Sequence, residues 1–177
     1  MNSQDRIANF SWVLSDLIID LGTSAMFYRE CIYNPDFEPF KNKYHLGKLR
    51  MCHMSTIVSL SKLSEALNGF ASELKTCCPV ELVDNAWKFK EQIENKKIFE
   101  FRSKYAAHVF DKESKQPLDL KSGYDRFTAI VGKTPDEVLE FYDWINPRVK
   151  TDEDLLTLLA NINCYLKNYL GEIPARK

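Results

Sequence analysis

The sequence predicts an all-α fold, an antiparallel bundle of four to five long helices. Two observations support this prediction. Apolar residues recur at steps of three and four along most of the chain, which is the period of a helix with one buried face. Glycine and proline number only 6 and 7 in 177 residues, which disfavours a β-sandwich with its many turns. With no internal repeat and no low-complexity segment, residues 1–177 are expected to form a single domain.

The first two apolar stripes predict long helices at about 5–32 and 44–75. The first stripe ends at Asn34-Pro35 and the second ends before Pro79, and proline stops a helix at the residue before it. His53 occupies a position of the second stripe where the pattern expects an apolar side chain. We interpret His53 as a hydrogen-bonded core histidine. The alternative is a supporting role near a functional groove.

A third stripe predicts a helix at about 80–110 with a break in its middle. The step from Ile93 to Ile98 puts the later apolar residues out of phase with the earlier ones, which indicates a kink or two helices end to end. Residues 111–133 are polar and rich in turn-forming residues around Pro117 and Gly123. We therefore expect an irregular stretch there.

Two helix-start signals follow this stretch. Thr134-Pro135-Asp136-Glu137 offers Thr as the N-cap, Pro at the first helical position and Glu at the third, and predicts a helix at about 134–146. Thr151-Asp152-Glu153-Asp154 predicts the start of a last helix at about 152–171. Both helices carry an apolar stripe, so both should contribute one face to the core.

Charge and composition exclude several classes of protein. A formal net charge of −1 is unlike that of a stable, general DNA-binding protein, although a transient RNA substrate is compatible with it. The N-terminus lacks the layout of a signal peptide, and Asp16 and Asp20 interrupt the best apolar run, so we expect a cytoplasmic protein with no membrane association. The five cysteines form no CxxC pair, which predicts reduced thiols, no metal site and no cofactor.

The polar residues that could carry chemistry are concentrated between Phe101 and Asp111. On a continuous α-helix, Arg102 and His108 would lie about 120° apart, on the two sides of the apolar arc that includes Phe101 and Tyr105. Both side chains would then lie at the rim of a groove between helices. Arginine offers a permanent charge that fits phosphate oxygens, and histidine exchanges protons near neutral pH. The pair is therefore suited to phosphate chemistry.

An arginine followed after five residues by a histidine, late in a helical bundle, resembles the R-x4-6-H signature of the HEPN superfamily. The motif Arg-x-x-Tyr-Ala-Ala-His, with an Asp three residues later, resembles the corresponding motif of the AbiU-like abortive-infection branch. The helix around Arg50-Met51-Cys52-His53 also resembles that branch, and the similarity of pattern extends over residues 1 to about 111. One position differs, because family ribonucleases often carry Asn, Asp or His directly after the Arg, and this chain has Ser103.

The resemblance implies a metal-independent endoribonuclease of toxin or phage-defence type, with Arg102 and His108 as catalytic residues. Residues near the RNA or supporting the site would be Ser103, Lys104, Tyr105, Asp111 and His53. Because one histidine supplies only one proton transfer at a time, a homodimer that brings two His108 side chains together is expected. RNA would be the transient substrate, and an antitoxin or another protein a further partner.

Other interpretations of these residues and of the whole chain remain open. Arg102 can pair with a carboxylate such as Glu94 or Glu100 on a solvated face, and His108 can be a hydrogen-bonded residue at a helix end. Lysines such as Lys104 can likewise belong only to a solvated helix face. The chain would then be a non-catalytic HEPN-type module that binds a nucleotide, an RNA or a protein partner, or a helical dimerisation domain with no site.

Overall fold

Helices account for every regular element in a computed structural model that describes residues 2–106, 119–151 and 154–171. They are α1 (Ser3–Tyr33), α2 (Lys43–Gly69), α3 (Ala71–Cys77), α4 (Val80–Asn95), α5 (Ile98–Phe101), α6 (Leu120–Val131), α7 (Pro135–Ile145) and α8 (Leu155–Leu170). A π-helical turn, Arg102–Ala106, follows α5 directly. Within those residues there is no strand, so the predicted all-α class is confirmed.

The two longest helices, α1 and α2, run antiparallel. The Cys52 thiol donates a hydrogen bond to the Ser24 carbonyl, with a distance of 3.1 Å between sulfur and oxygen. About two turns further along α2, the Ser59 hydroxyl lies 3.4 Å from a carboxylate oxygen of Asp20. The residue number of the α1 partner falls as the residue number on α2 rises, so the two helices point in opposite directions.

Helix α8 packs on another side of α1, also antiparallel. The Ser11 hydroxyl donates to the Asn163 side-chain oxygen at 2.6 Å, and both groups are buried. Further along α1, Gly22 lies so close to α8 that a Cβ there would be 3.2 Å from Leu156 Cδ1. Helix α1 is therefore the central element, with α2 and α8 as its neighbours. Together with α4, α5 and α7, these helices form an antiparallel bundle around one apolar core.

Ion pairs connect both ends of α1 to neighbouring helices. Near its start, the Arg6 guanidinium pairs with Glu73 of α3. Near its end, Arg29 pairs with Asp143 of α7 at 2.5 Å and also donates to the Asn146 carbonyl at the end of that helix. Arg29 thus satisfies an unpaired carbonyl of the kind that every helix leaves at its C-terminus.

The break predicted in the third helix is confirmed. Helix α4 ends at Asn95, and Lys97 adopts a left-handed conformation with φ 54° before α5 begins at Ile98. Helix α2 is interrupted as well, because Phe70 separates it from α3, where a single helix was predicted at 44–75. Side chains on both sides of each break are buried, so the core continues across them.

The irregular stretch predicted at 111–133 is wrong for residues 120–131, which form α6. The Asp119 carboxylate caps this helix by accepting hydrogen bonds from the backbone of Lys121 and Ser122, both at 3.1 Å. Gly123 does not break the helix, and Ile130 and Val131 are buried in the core. Residues 111–118 lie outside the described part of the chain.

Both helix-start signals near the C-terminus lead to helices. The Thr134 hydroxyl and the Glu137 side chain form a capping box at the start of α7, with Pro135 at its first position, as predicted. The last helix begins later than predicted, at Leu155. Its N-cap is Asp154, whose carboxylate accepts a hydrogen bond from the Thr157 backbone at 2.7 Å.

Helix α1 is long and apolar enough to cross a membrane when judged by length and composition alone. The core helix of a water-exposed bundle passes the same test, and α1 forms the centre of this core. The cellular compartment therefore stays a prediction from sequence.

Candidate functional site

Arg102 is the first residue of the π turn and faces α2. Its Nη1 donates to Glu65 Oε1 at 3.1 Å, and the two side chains are 36% and 50% exposed. The alternative that Arg102 pairs with a carboxylate on a solvated face is therefore what the structure shows. The partner is Glu65 and not Glu94 or Glu100, which pair with Lys90 and Arg126. A π turn contains one residue more than an α turn and is found often at functional sites. Arg102 is thus a half-exposed cation on an irregular backbone segment.

A groove of about 530 Å³ lies beside this ion pair, between α2, the end of α4 and α5. Its walls include the exposed ring of Phe99 and the left-handed Lys97. The full lining is Ser64, Glu65, Asn68, Ile93, Glu94, Lys97, Phe99 and Glu100. Arg102 borders the groove through its contact with Glu65. The interior of the groove carries three carboxylates and one ammonium group, so it does not favour an anion.

Tyr105 is held between two elements. Its ring stacks on the Phe101 ring with 5.7 Å between centroids, and the Arg126 guanidinium of α6 lies 5.6 Å from its ring centre. Gly123 permits this arrangement, because a Cβ there would be 3.0 Å from Tyr105 Cδ1. Ser103 and Lys104, like Tyr105, are half-buried in the same π turn.

Arg126 and Glu100 form an exposed ion pair across α6 and α5, with side chains 43% and 49% exposed. The hydrogen bond from Arg126 lowers the pKa of the Glu100 carboxyl, and the same bond raises the pKa of Arg126. Neither Arg126 nor Glu65 was among the site residues predicted from sequence. Arg126 was missed because its segment was interpreted as irregular; a helical wheel beginning at Asp119 would have shown it on a helix.

His53 lies in the core, and its interpretation as a hydrogen-bonded core histidine is confirmed. It is 6% exposed, and its Nδ1 is 2.9 Å from the Tyr142 hydroxyl. That hydroxyl also lies 3.3 Å from the Cys52 thiol and 3.4 Å from the Thr56 hydroxyl. Burial lowers the pKa of His53 to about 4. His53 is therefore neutral in the folded chain at pH 7.

Aromatic contacts connect this cluster with the π turn. The His53 ring meets Phe127 edge-on at 5.4 Å, and Phe127 lies 6.0 Å from Phe101, the residue before Arg102. A supporting role for His53 would act through this packing, because His53 itself is not in the groove lining.

His108 and Asp111 lie outside the described residues. The helical-wheel estimate that placed Arg102 and His108 about 120° apart assumed a continuous α-helix. That assumption is wrong over Arg102–Ala106, where the turn is a π turn. The angle between the two side chains therefore cannot be taken from an α-helical wheel.

Burial disfavours the reactive thiolate form of Cys52 and Cys78. All five cysteines are free thiols, and burial raises the pKa of Cys52 to about 11 and that of Cys78 to about 12. A thiol with a raised pKa is a poor nucleophile at neutral pH. Within residues 2–106, 119–151 and 154–171, no group of three or more His, Cys, Asp or Glu side chains is placed to hold a metal ion.

Comparison with known proteins bears on the fold. No protein-family model and no curated protein sequence gives a significant match. One solved structure that resembles this chain is an integron cassette protein from the mobile metagenome of V. paracholerae, Vpc_cass2, with a TM-score of 0.75. The similarity covers 94% of this chain and 99% of that one at 20% sequence identity. At this identity the likeness shows a shared all-α fold and nothing about activity.

Proposed function

We propose that this protein is a metal-independent endoribonuclease of toxin or abortive-infection type, related to the HEPN superfamily and active as a cytoplasmic homodimer. The observation that carries the proposal is the position of Arg102, a half-exposed guanidinium on a π turn beside a groove. His108, which follows Arg102 after five residues in the sequence, is the second group that the reaction needs. An antitoxin or other protein partner is part of the same proposal.

The proposed reaction needs no group beyond the RNA, arginine and histidine. The RNA 2′-hydroxyl attacks the neighbouring phosphorus, the bond from phosphorus to the 5′ oxygen breaks, and a 2′,3′-cyclic phosphate remains. One His108 accepts the hydroxyl proton, and the second His108 of the dimer donates a proton to the leaving oxygen. Arg102 stabilises the extra negative charge on the phosphate oxygens once Glu65 has released it.

The decisive experiment is RNA cleavage in EDTA by wild type, Arg102→Ala and His108→Ala. Cleavage should survive chelation and leave the cyclic phosphate. His108→Ala should lose roughly 10²–10⁴-fold in rate, the usual contribution of a proton-transfer group. Arg102→Ala should lose roughly 10²–10³-fold, the effect of removing a stabilising donor.

Matched controls exist for both substitutions. The ring of His45, in α2, stacks on the ring of Phe37, in the segment before α2, with 5.0 Å between centroids. The Arg148 guanidinium lies 4.2 Å from the centre of the Tyr33 ring. Neither His45 nor Arg148 lines the groove. His45→Ala and Arg148→Ala should cleave at the wild-type rate. The proposal is contradicted if wild type leaves every RNA intact, or if His108→Ala cleaves as fast as wild type.

A second candidate is a non-catalytic helical module that binds a nucleotide, an RNA or a protein partner. The observation that favours it is the ion pair between Arg102 and Glu65, because a carboxylate already occupies the guanidinium that catalysis requires. Ser103, where the family pattern has Asn, Asp or His, favours it as well. RNA binding without cleavage, unchanged in His108→Ala, would support this candidate.

A further inference from the structure

We propose that Arg126 is a second phosphate-binding residue of this site and holds the RNA strand beside the phosphate that Arg102 holds. The inference rests on the proposed function, since it assumes an RNA ligand. It assigns a role to a residue of α6, in a stretch where the sequence predicted no helix.

The two arginines border the same groove. Arg102 pairs with Glu65 and Arg126 pairs with Glu100, and both glutamates belong to the groove lining. The Arg126 guanidinium makes a cation–π contact with the ring of Tyr105, three residues after Arg102. Two half-exposed cations therefore lie at the border of one groove, each paired with a carboxylate of its lining.

Arg126 is held in position but remains accessible. The Tyr105 ring supports its guanidinium from one side, and its side chain is 43% exposed. Its partner Glu100 is 49% exposed, and ion pairs at such exposure are weak because water screens both charges. A phosphate offers two oxygens to the guanidinium fork and can replace the carboxylate at small cost.

Arg29 shows how a purely structural arginine differs. Its side chain is only 12% exposed, and it bonds both the Asp143 carboxylate and the Asn146 carbonyl at the end of α7. An arginine so enclosed cannot exchange its partner for a ligand. Arg126 has one exposed carboxylate and an aromatic support, which leaves its outer edge open to solvent.

The charges of the groove also set the path of the strand. Glu65, Glu94 and Glu100 repel phosphates from the interior. The RNA backbone is therefore expected to follow the border of the groove, where Arg102 and Arg126 lie, and not its interior.

The test measures binding of a fluorescein-labelled, 12-nucleotide 2′-O-methyl RNA, which lacks the attacking hydroxyl and is not cleaved. Dissociation constants are measured by anisotropy between about 20 and 200 mM salt for wild type, Arg126→Ala, Arg148→Ala, Glu100→Gln and the carboxylate control Glu94→Gln. Arg126→Ala should bind about tenfold more weakly, and its slope of log K against log salt should fall by about 0.7, the value for one single-strand phosphate contact. Arg148→Ala should match wild type.

Glu100→Gln provides the second, independent readout. It releases Arg126 from its carboxylate without removing the guanidinium, and it also removes one repelling carboxylate. Binding should therefore become tighter than in Glu94→Gln, which removes a carboxylate from the same groove and leaves Arg126 paired. This variant also keeps the proposal testable if Arg126→Ala does not fold. A purely structural Arg126 would leave the salt slope unchanged in the alanine variant, and Glu100→Gln would bind no more tightly than Glu94→Gln; either result overturns the inference.

The failures of the two proposals can be told apart. If wild type binds and cleaves RNA but Arg126→Ala behaves like Arg148→Ala, only the role of Arg126 is overturned. If wild type neither binds nor cleaves RNA at the lowest salt, the proposed function fails and the role of Arg126 fails with it.

Discussion

At the scale of single residues, His53 makes folding sensitive to acid. Its pKa is about 4 in the fold, against 6.5 for an unperturbed histidine, because burial disfavours the charged ring. Between these two values the unfolded chain binds a proton that the folded chain does not. The part of the folding stability that depends on neutral His53 is therefore complete above about pH 6.5 and is lost as the pH falls towards 4. The total loss should be about 3 kcal/mol.

Urea unfolding of wild type at pH 7 and pH 4.5 measures this loss. His53→Ala should be less stable than wild type at pH 7 by about 1–3 kcal/mol, because it leaves a cavity and removes one partner of the Tyr142 hydroxyl. The same variant should lose less stability on acidification. His45→Gln is the control and should keep the wild-type acid sensitivity; an equal pH response in wild type and His53→Ala would refute the assignment.

The burial of His53 could be predicted from sequence, whereas the ion-pair partner of Arg102 could not. His53 was recognised as a core residue because it interrupts a long apolar stripe, a pattern that depends on spacing alone. The partner of Arg102 is Glu65, 37 positions earlier on another helix. Such a pair depends on how α2 packs against the π turn, and many exposed glutamates would have satisfied the sequence equally well. His108, the other half of the predicted motif, lies outside the described residues.

At the scale of elements, Gly123 sets the distance between α6 and the π turn. A helical glycine replaced by alanine usually gains about 1 kcal/mol of stability. In α6 the new methyl would lie 3.0 Å from the Tyr105 ring, which is stacked on the Phe101 ring. Gly123→Ala should therefore gain nothing or be destabilised. Chemical denaturation gives the free energy of unfolding that decides this.

Gly47 of α2 provides the matched control, because a Cβ there has nothing within 4 Å. Gly47→Ala should stabilise the protein by about 0.5–1 kcal/mol. Adding Tyr105→Ala to both glycine variants completes the test. The difference between them should shrink once the ring is absent. An equal gain in Gly47→Ala and Gly123→Ala would show that Tyr105 does not restrict α6.

The sequence predicted helices well where apolar periodicity was long, and less well where the local backbone is irregular. The break before Ile98 appeared as a phase shift of the stripe, and the capping box at Thr134 appeared as a motif. The π turn at Arg102–Ala106 leaves no comparable trace, because it inserts one residue without proline or glycine. Helix α6 differs from the predicted irregular stretch because Gly123 and Pro117 favour turns in sequence, whereas the Asp119 cap starts a helix between them.

At the scale of the whole molecule, the proposed chemistry requires two chains. Each protomer contributes one His108, and cleavage with a separate base and acid needs two. Light scattering at micromolar concentration should therefore give twice the mass of the 20.6 kDa chain. An excess of His108→Ala protomers exchanged into the wild type should lower cleavage per wild-type chain, because a mixed dimer holds only one His108. A monomeric protein with full activity would contradict this arrangement.

The position of α1 between α2 and α8 has a consequence for the order in which the protein is made. Ser11 and its partner Asn163 are 152 positions apart, so the ribosome completes α1 long before α8 exists. At about 5–20 residues per second, that delay is about 8–30 s. During this time the side of the most membrane-like helix that α8 later covers has no partner. A nascent chain halted before Leu155 should accordingly bind chaperones that recognise apolar segments, and release from them should follow the synthesis of α8.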